Sequence, residues 1–135
     1  MAIKTRLTTK GFEEYLEALS QARKDIDRLA AEALAAGGEV LLEGMQRRVP
    51  KDTHNLEGNL EMTEPQQEGN FHFIEVGLSK KADAETARYG NVQEFGSSSM
   101  AAQPYVRPTL DEDMSKARKA MRKVLEKAIG EGSGQ

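Results

Sequence analysis

The chain has 135 residues, 38% hydrophobic and 30% charged, which suits one domain with one core. With 19 Lys and Arg against 22 Asp and Glu, the formal net charge is -3, which excludes a generic nucleic-acid coat but leaves room for a local basic stripe. The absence of Cys excludes a disulfide framework, a thiol nucleophile and Cys-ligated zinc, and no apolar run approaches the ~20 residues that span a bilayer.

Residues 2–8 alternate, with Ile3, Thr5 and Leu7 on one side and Lys4 and Arg6 on the other, which predicts a short strand. No apolar leader precedes it, so synthesis and folding are expected in a cytoplasm. Lys10-Gly11 breaks the strand. Residues 12–48 carry helical spacing, from Phe12, Tyr15, Leu16 and Leu19 to Leu34, Leu41 and Met45. A bend between two helices fits Ser20 to Asp25, although no Pro or Gly forces it. Gly37-Gly38 costs roughly 1 kcal/mol per glycine in a helix interior, which suits a close neighbour or a slight kink. Pro50 stops the helix, and Arg47-Arg48 suits its negative end.

Residues 51–55 have turn composition. Leu56–Met62 and Phe71–Leu78 predict an antiparallel hairpin across the polar loop from Glu64 to Asn70. Residues 79–87 read as loop, Tyr89–Gly96 as a short strand or a single turn, and Ser97–Gln103 as a mobile loop. Pro104–Pro108 is stiffened by its two prolines. Pro108 to Ile129 predicts an amphipathic helix, with Leu110, Met114, Ala117, Met121, Val124, Leu125 and Ala128 on its apolar stripe. Asp111, Glu112 and Asp113 favour its positive end, and Lys123 and Lys127 its negative end. Gly130 is expected to end it, leaving 130–135 as a flexible tail. The sum is an α+β fold, one domain over residues 1–129. In it a small antiparallel sheet packs against a long N-terminal helical segment and a C-terminal amphipathic helix.

The constellations needed for catalysis are missing from this pattern. His54 and His72 stand in no metal or nucleophile spacing, and no glycine pattern makes a phosphate loop. No enzymatic activity, cofactor or metal is expected. His72 falls on the strand face opposite Phe71 and Phe73. Glu75 shares the face of those aromatics, where it meets either a basic partner or solvent. Lys116, Lys119, Lys123 and Lys127 fall in a narrow sector of the last helix, away from the apolar stripe. That sector is either a solvated face or a surface for DNA phosphates or an acidic neighbour. A small cytoplasmic DNA-binding regulator using this face is the alternative reading of the chain. No aromatics interleave with the lysines, so a stacking single-strand site is not supported.

Three segments in order carry a resemblance: Val49-Pro50-Lys51-Asp52-Thr53-His54-Asn55-Leu56, Tyr89-Gly90-Asn91-Val92-Gln93-Glu94-Phe95-Gly96, and Pro104-Tyr105-Val106-Arg107-Pro108-Thr109-Leu110. Together, over about residues 3–129, they resemble the tailed-bacteriophage neck and tail-completion family named after the tenth gene product of a lambda-like coliphage. Two positions depart from that pattern, His54 where the family usually has Gly and Thr109 where Ala is common. The resemblance implies a structural virion protein of the neck or head-proximal tail end. It implies a six-fold homo-oligomeric ring that joins head to tail, assembled in the host cytoplasm. The partners implied are head-completion or connector proteins and tail terminator or tail-tube proteins, with genomic DNA passing through the ring without sequence-specific binding. Tyr89, Glu94, Phe95, Gly96, Tyr105 and Arg107 are the interface candidates, because Tyr, Phe and Arg on a stiffened segment suit binding hot spots. An internal reading stands beside this one, in which Phe95 and Val106 plug the core and Arg107 pairs with Glu94.

Overall fold

The computed structural model describes residues 4–50 and 56–133. Ile3, the turn at 51–55 with His54, and the last residues of the expected tail lie outside them. The elements in order are β1 (Lys4–Thr8), α1 (Glu13–Gln21), α2 (Ile26–Arg48), β2 (Leu60–Met62), β3 (Gln66–Glu68), β4 (Phe71–Leu78), α3 (Ala84–Phe95) and α4 (Arg107–Ser133). This is the expected α+β class, with an antiparallel sheet packed on helices.

Strand β4 is the centre of the sheet. Strand β1 runs antiparallel along one edge, pairing Lys4 with Gly77 and Thr8 with Phe73. Strands β2 and β3 lie in line along the other edge, pairing Met62 with Val76 and Gln66 with Phe73. The second pairing resumes one residue out of step with the first. Thr63 still gives its amide to Glu75 O at 2.8 Å, so the extra residue falls at Glu64 and Pro65, and Pro65 has no amide to give to the ladder. Two expectations are corrected here. The stretch 56–62 is strand only from Leu60, because Glu57–Asn59 forms a 3-10 turn. The expected loop from Glu64 to Asn70 contains β3, whose exposed Gln66-Gln67-Glu68 has no apolar alternation to announce it.

One face of the sheet, with Leu7, Ile74, Val76 and Leu78, is buried against α2. The other carries charge: Lys4 crosses Gly77 to meet Glu61 at 2.9 Å, and Arg6 lies 3.9 Å over the Phe73 ring while reaching Glu68 at 3.1 Å. His72 points to the helical side, opposite the Phe73 ring, with Nε2 3.0 Å from Asp27 Oδ1. Glu75 stands on the charged face, in register with Arg6.

Helix α2 runs between the sheet and the antiparallel α4. Gly37 and Gly38 allow the close approach. A Cβ at Gly37 would lie 2.8 Å from Met121 Cγ and 3.0 Å from Leu7 Cδ2, and one at Gly38 would strike Met62 Sδ and Ile74 Cδ1. The break between α1 and α2 falls where a bend was expected. Arg23 there takes a left-handed φ of 61°, and Asp25 Oδ1 caps α2 by accepting from the Arg28 amide at 3.2 Å.

Helix α3 is the main difference from expectation: residues 79–87 are not all loop, and Tyr89–Gly96 is neither strand nor single turn. Its signals are at its ends. Asp83 accepts from the Thr86 amide at 2.7 Å, and Gly96 closes the helix at φ +79° with its amide on Val92 O at 2.7 Å. Its buried face is Thr86, Ala87, Gly90, Gln93 and Glu94, too polar and small to make an apolar stripe. Helix α4 also runs through Gly130 to Ser133 rather than stopping. Gly130 and Gly132 cost about 1 kcal/mol each in a helix, which a long packed helix absorbs near its end.

Candidate assembly interface

The two specific motifs meet at the junction of α3 and α4. Glu94, 4% exposed, turns its carboxylate toward the start of α4. Its Oε1 accepts from the amides of Tyr105 at 2.8 Å and Val106 at 2.7 Å, and its Oε2 from Arg107 at 2.9 Å. A helix start leaves amides without intrahelical partners and carries partial positive charge. The carboxylate therefore caps α4 from a different helix. Pro108, which has no amide, suits the first turn. Thr109 adds a hydroxyl that donates to Tyr105 O at 2.7 Å.

Tyr105 is wholly buried, and its hydroxyl donates to Gly90 O at 3.4 Å. Desolvation, with the Glu94 charge behind it, pushes the phenol up to about 12. Gly90 makes the seat, since a Cβ there would lie 3.0 Å from both Tyr105 Oη and Leu78 Cδ2.

A second lock ties the end of α2 to the first turns of α4. Asp113, 3% exposed, receives Arg48 Nη1 at 2.7 Å and Arg47 Nη2 at 3.1 Å on one oxygen. Arg48 also donates to Thr109 Oγ1 and to Gly44 O, each at 3.1 Å. The hydrogen bond from Arg48 holds the Asp113 carboxyl below its ordinary range against the opposing desolvation, and Asp113 in turn raises Arg48. Gly44 leaves the space, because a Cβ there would strike the Asp113 carboxylate.

The structure thus separates the interface candidates. Glu94 and Tyr105 are inside the domain, Tyr89 and Gly96 are half-buried, and Phe95 and Arg107 are exposed. The internal reading holds for Val106, which is in the core, but not for Phe95, which is 65% exposed. Arg107 meets Glu94 through its amide, and its side chain is left outside. Met100, 40% exposed, stands beside this corner on the loop from Ser97 to Gln103. That loop is closed at its base by the Gln103 amide on Gln93 O at 2.7 Å and pinched by Ser97 and Met100. Lys116, Lys119, Lys123 and Lys127 are all exposed on α4.

Sequence reasoning makes Glu94 an interface candidate and Asp113 only a charge at the positive end of the last helix, yet both are the buried centres of the two locks. The available signal was the stretch Tyr105-Val106-Arg107, whose amides open a helix with no Ser, Thr, Asp or Asn before them to cap it. Among the described residues, no group of three or more His, Asp or Glu is placed to hold a metal ion, and no helix is long and apolar enough to cross a membrane.

Buried charges thus tie helix to helix at this junction, and an aromatic and a cation, Phe95 and Arg107, are left exposed on the same corner. The family model described as "Bacteriophage HK97-gp10, putative tail-component" matches residues 10–96, and the chain belongs to this HK97-gp10-like family. Its role is accordingly that of a phage structural component, with its place in the virion. The match ends at Gly96, the residue that closes α3, so the Pro104–Pro108 segment and α4 lie beyond it. No curated protein and no solved structure matches the chain.

Proposed function

We propose that this protein forms part of the neck or head-proximal tail end and joins head to tail. In this reading it acts as a homo-oligomeric ring of six subunits, between a head-completion or connector protein and a tail terminator or tail-tube protein. It assembles in the host cytoplasm, and genomic DNA passes through the ring without sequence-specific contacts. The observation that carries the reading is the rigid corner at the α3–α4 junction. Glu94 fixes the backbone of Tyr105, Val106 and Arg107, so the exposed Phe95 and the Arg107 side chain are presented in a set geometry. Pre-ordering lowers the entropy cost of binding, and exposed aromatic and Arg residues are the types that dominate interface energies.

The test is Arg107→Ala in a phage that depends on this protein. The expected particles are full heads and finished tails that fail to unite, made from a protein whose melting temperature is near the parent's. Normal joining by this variant and by Phe95→Ala, each with parental stability, would refute the assignment of this corner.

A further inference from the structure

Phe95 and Met100 are the large hydrophobic side chains left exposed among the described residues. Elsewhere on the molecule an apolar cleft of about 200 Å³ opens at the bulge between β2 and β3. The bulge leaves Met62 and Ile74 flanked by Pro65 on one side, while α2 offers only the methyl groups of Ala31 and Ala35 on the other. A dry cavity of about 150 Å³ accepts a benzene ring, so a cleft of this size takes a phenyl side chain.

The charges around the two features are opposite. Arg88 lies seven residues before Phe95 on the same exposed face of α3, and Arg107 is fixed through its amide to the neighbouring Glu94. Glu64 lines the cleft, and the exposed Glu39 lies one turn beyond Ala35 on α2. All four are exposed, and none makes an ion pair within the described residues. A protruding anchor with a basic rim on one surface, and a cleft with an acidic rim on another, make a head-to-tail contact, the kind that closes into rings.

We propose that Phe95 of one subunit inserts into the Ala31–Ala35–Met62–Pro65 cleft of a second copy of this chain, with Arg107 and Arg88 facing Glu64 and Glu39. This deepens the ring reading and rests on it. It assigns α2 and the β2–β3 bulge as the receiving surface.

The full purified chain carries p-benzoylphenylalanine in place of Phe95, is irradiated over a concentration series, and is mapped by peptide mass spectrometry. The expected result is covalent dimers and longer ladders, with adducts on the peptides holding Ala31–Ala35 or Met62–Pro65. Arg107→Glu should cut the yield by at least about tenfold, since juxtaposed like charges are strongly unfavourable, and Glu64→Arg in the same chain should restore it. Arg88→Glu, paired with Glu39→Arg, repeats the test should Arg107→Glu disturb the start of α4. Adducts confined to other segments, no intermolecular product up to the solubility limit, or yields indifferent to both charge reversals would overturn the proposal. Because the readout needs only the purified chain, the head–tail joining role stands or falls separately on the particle experiment.

Discussion

Replacing Glu94 tests whether one carboxylate holds α4 onto the rest of the domain. In Glu94→Ala, the amides of Tyr105 and Val106 stay buried without an acceptor, while the Arg107 amide is partly reached by water. A buried polar group left unpaired costs about 1–3 kcal/mol, and a carboxylate at a partly buried helix start contributes up to about 2 kcal/mol more. With two such amides the terms span about 2–8 kcal/mol; a loss in the middle of that span, about 3–5 kcal/mol, is expected, which lowers the melting temperature by roughly 10–20 °C for a domain of this size. Glu94→Gln keeps Oε1, and with it the bonds to Tyr105 and Val106, but can set an amide NH2 against the Arg107 N–H. Its expected cost is smaller, about 1–2 kcal/mol. Urea unfolding of both variants measures the difference. Hydrogen exchange at Tyr105, Val106 and Arg107 locates it. If Glu94→Ala loses less than about 1 kcal/mol, or if Gln is as damaging as Ala, the cap is not what secures α4.

Four further outcomes are expected. Phe95→Ala, at a 65% exposed side chain, should change stability by less than about 0.5 kcal/mol, and a thermal melt shows this directly. Asp113 is held below its ordinary carboxyl range by Arg48, so its contribution is present above the unfolded-state value near 4 and is lost as pH falls through the lower folded value. The acid limb of stability, followed by urea unfolding from about pH 5 to pH 2, should therefore be shallower in Asp113→Asn than in the parent. Gly38→Ala forces a methyl onto Met62 Sδ and Ile74 Cδ1 and should cost about 1–3 kcal/mol of unfolding free energy. Replacing Lys116, Lys119, Lys123 and Lys127 together by Gln should leave particle assembly intact, whereas salt-dependent duplex binding that disappears in this variant would favour the regulator reading.

Elements with one apolar face were legible from spacing. Leu7 in β1, Ile74 and Val76 in β4, and Ala117, Met121 and Leu125 in α4 each bury one side against a neighbour, so the pattern records the fold. Helix α3 was not legible that way, because its inner face meets Tyr105, Leu78, Leu56 and backbone amides rather than a broad apolar surface. Gly90 makes room for Tyr105, and Glu94 satisfies the amides, so the residues needed were a glycine and an acid. Only the Asp83 and Gly96 punctuation marked the helix. Strand β3 left no periodicity, because its backbone is ordered by pairing with β4 while its own side chains are exposed. The motifs Glu94-Phe95-Gly96 and Pro104–Pro108 were legible as a pair. Their division of labour was not: Glu94 and Tyr105 build the corner, while Phe95 and Arg107 are displayed on it. A charged residue and its neighbour differ in fate here through a 100° turn of helix, which spacing alone assigns only when the buried face is apolar.

The closed base of the Ser97–Gln103 loop has a consequence for how such a protein can diversify. The backbone leaves α3 at Gly96 and is gripped again at Gln103 by Gln93, then at residues 105–107 by Glu94. Entry and exit are pinned independently of whatever lies between. Doubling the length of a loop costs only about 0.6 kcal/mol in closure entropy. Residues 97–102 are thus an exchangeable cassette on a fixed mount, where insertions and deletions change the exposed surface without moving the helices that carry it.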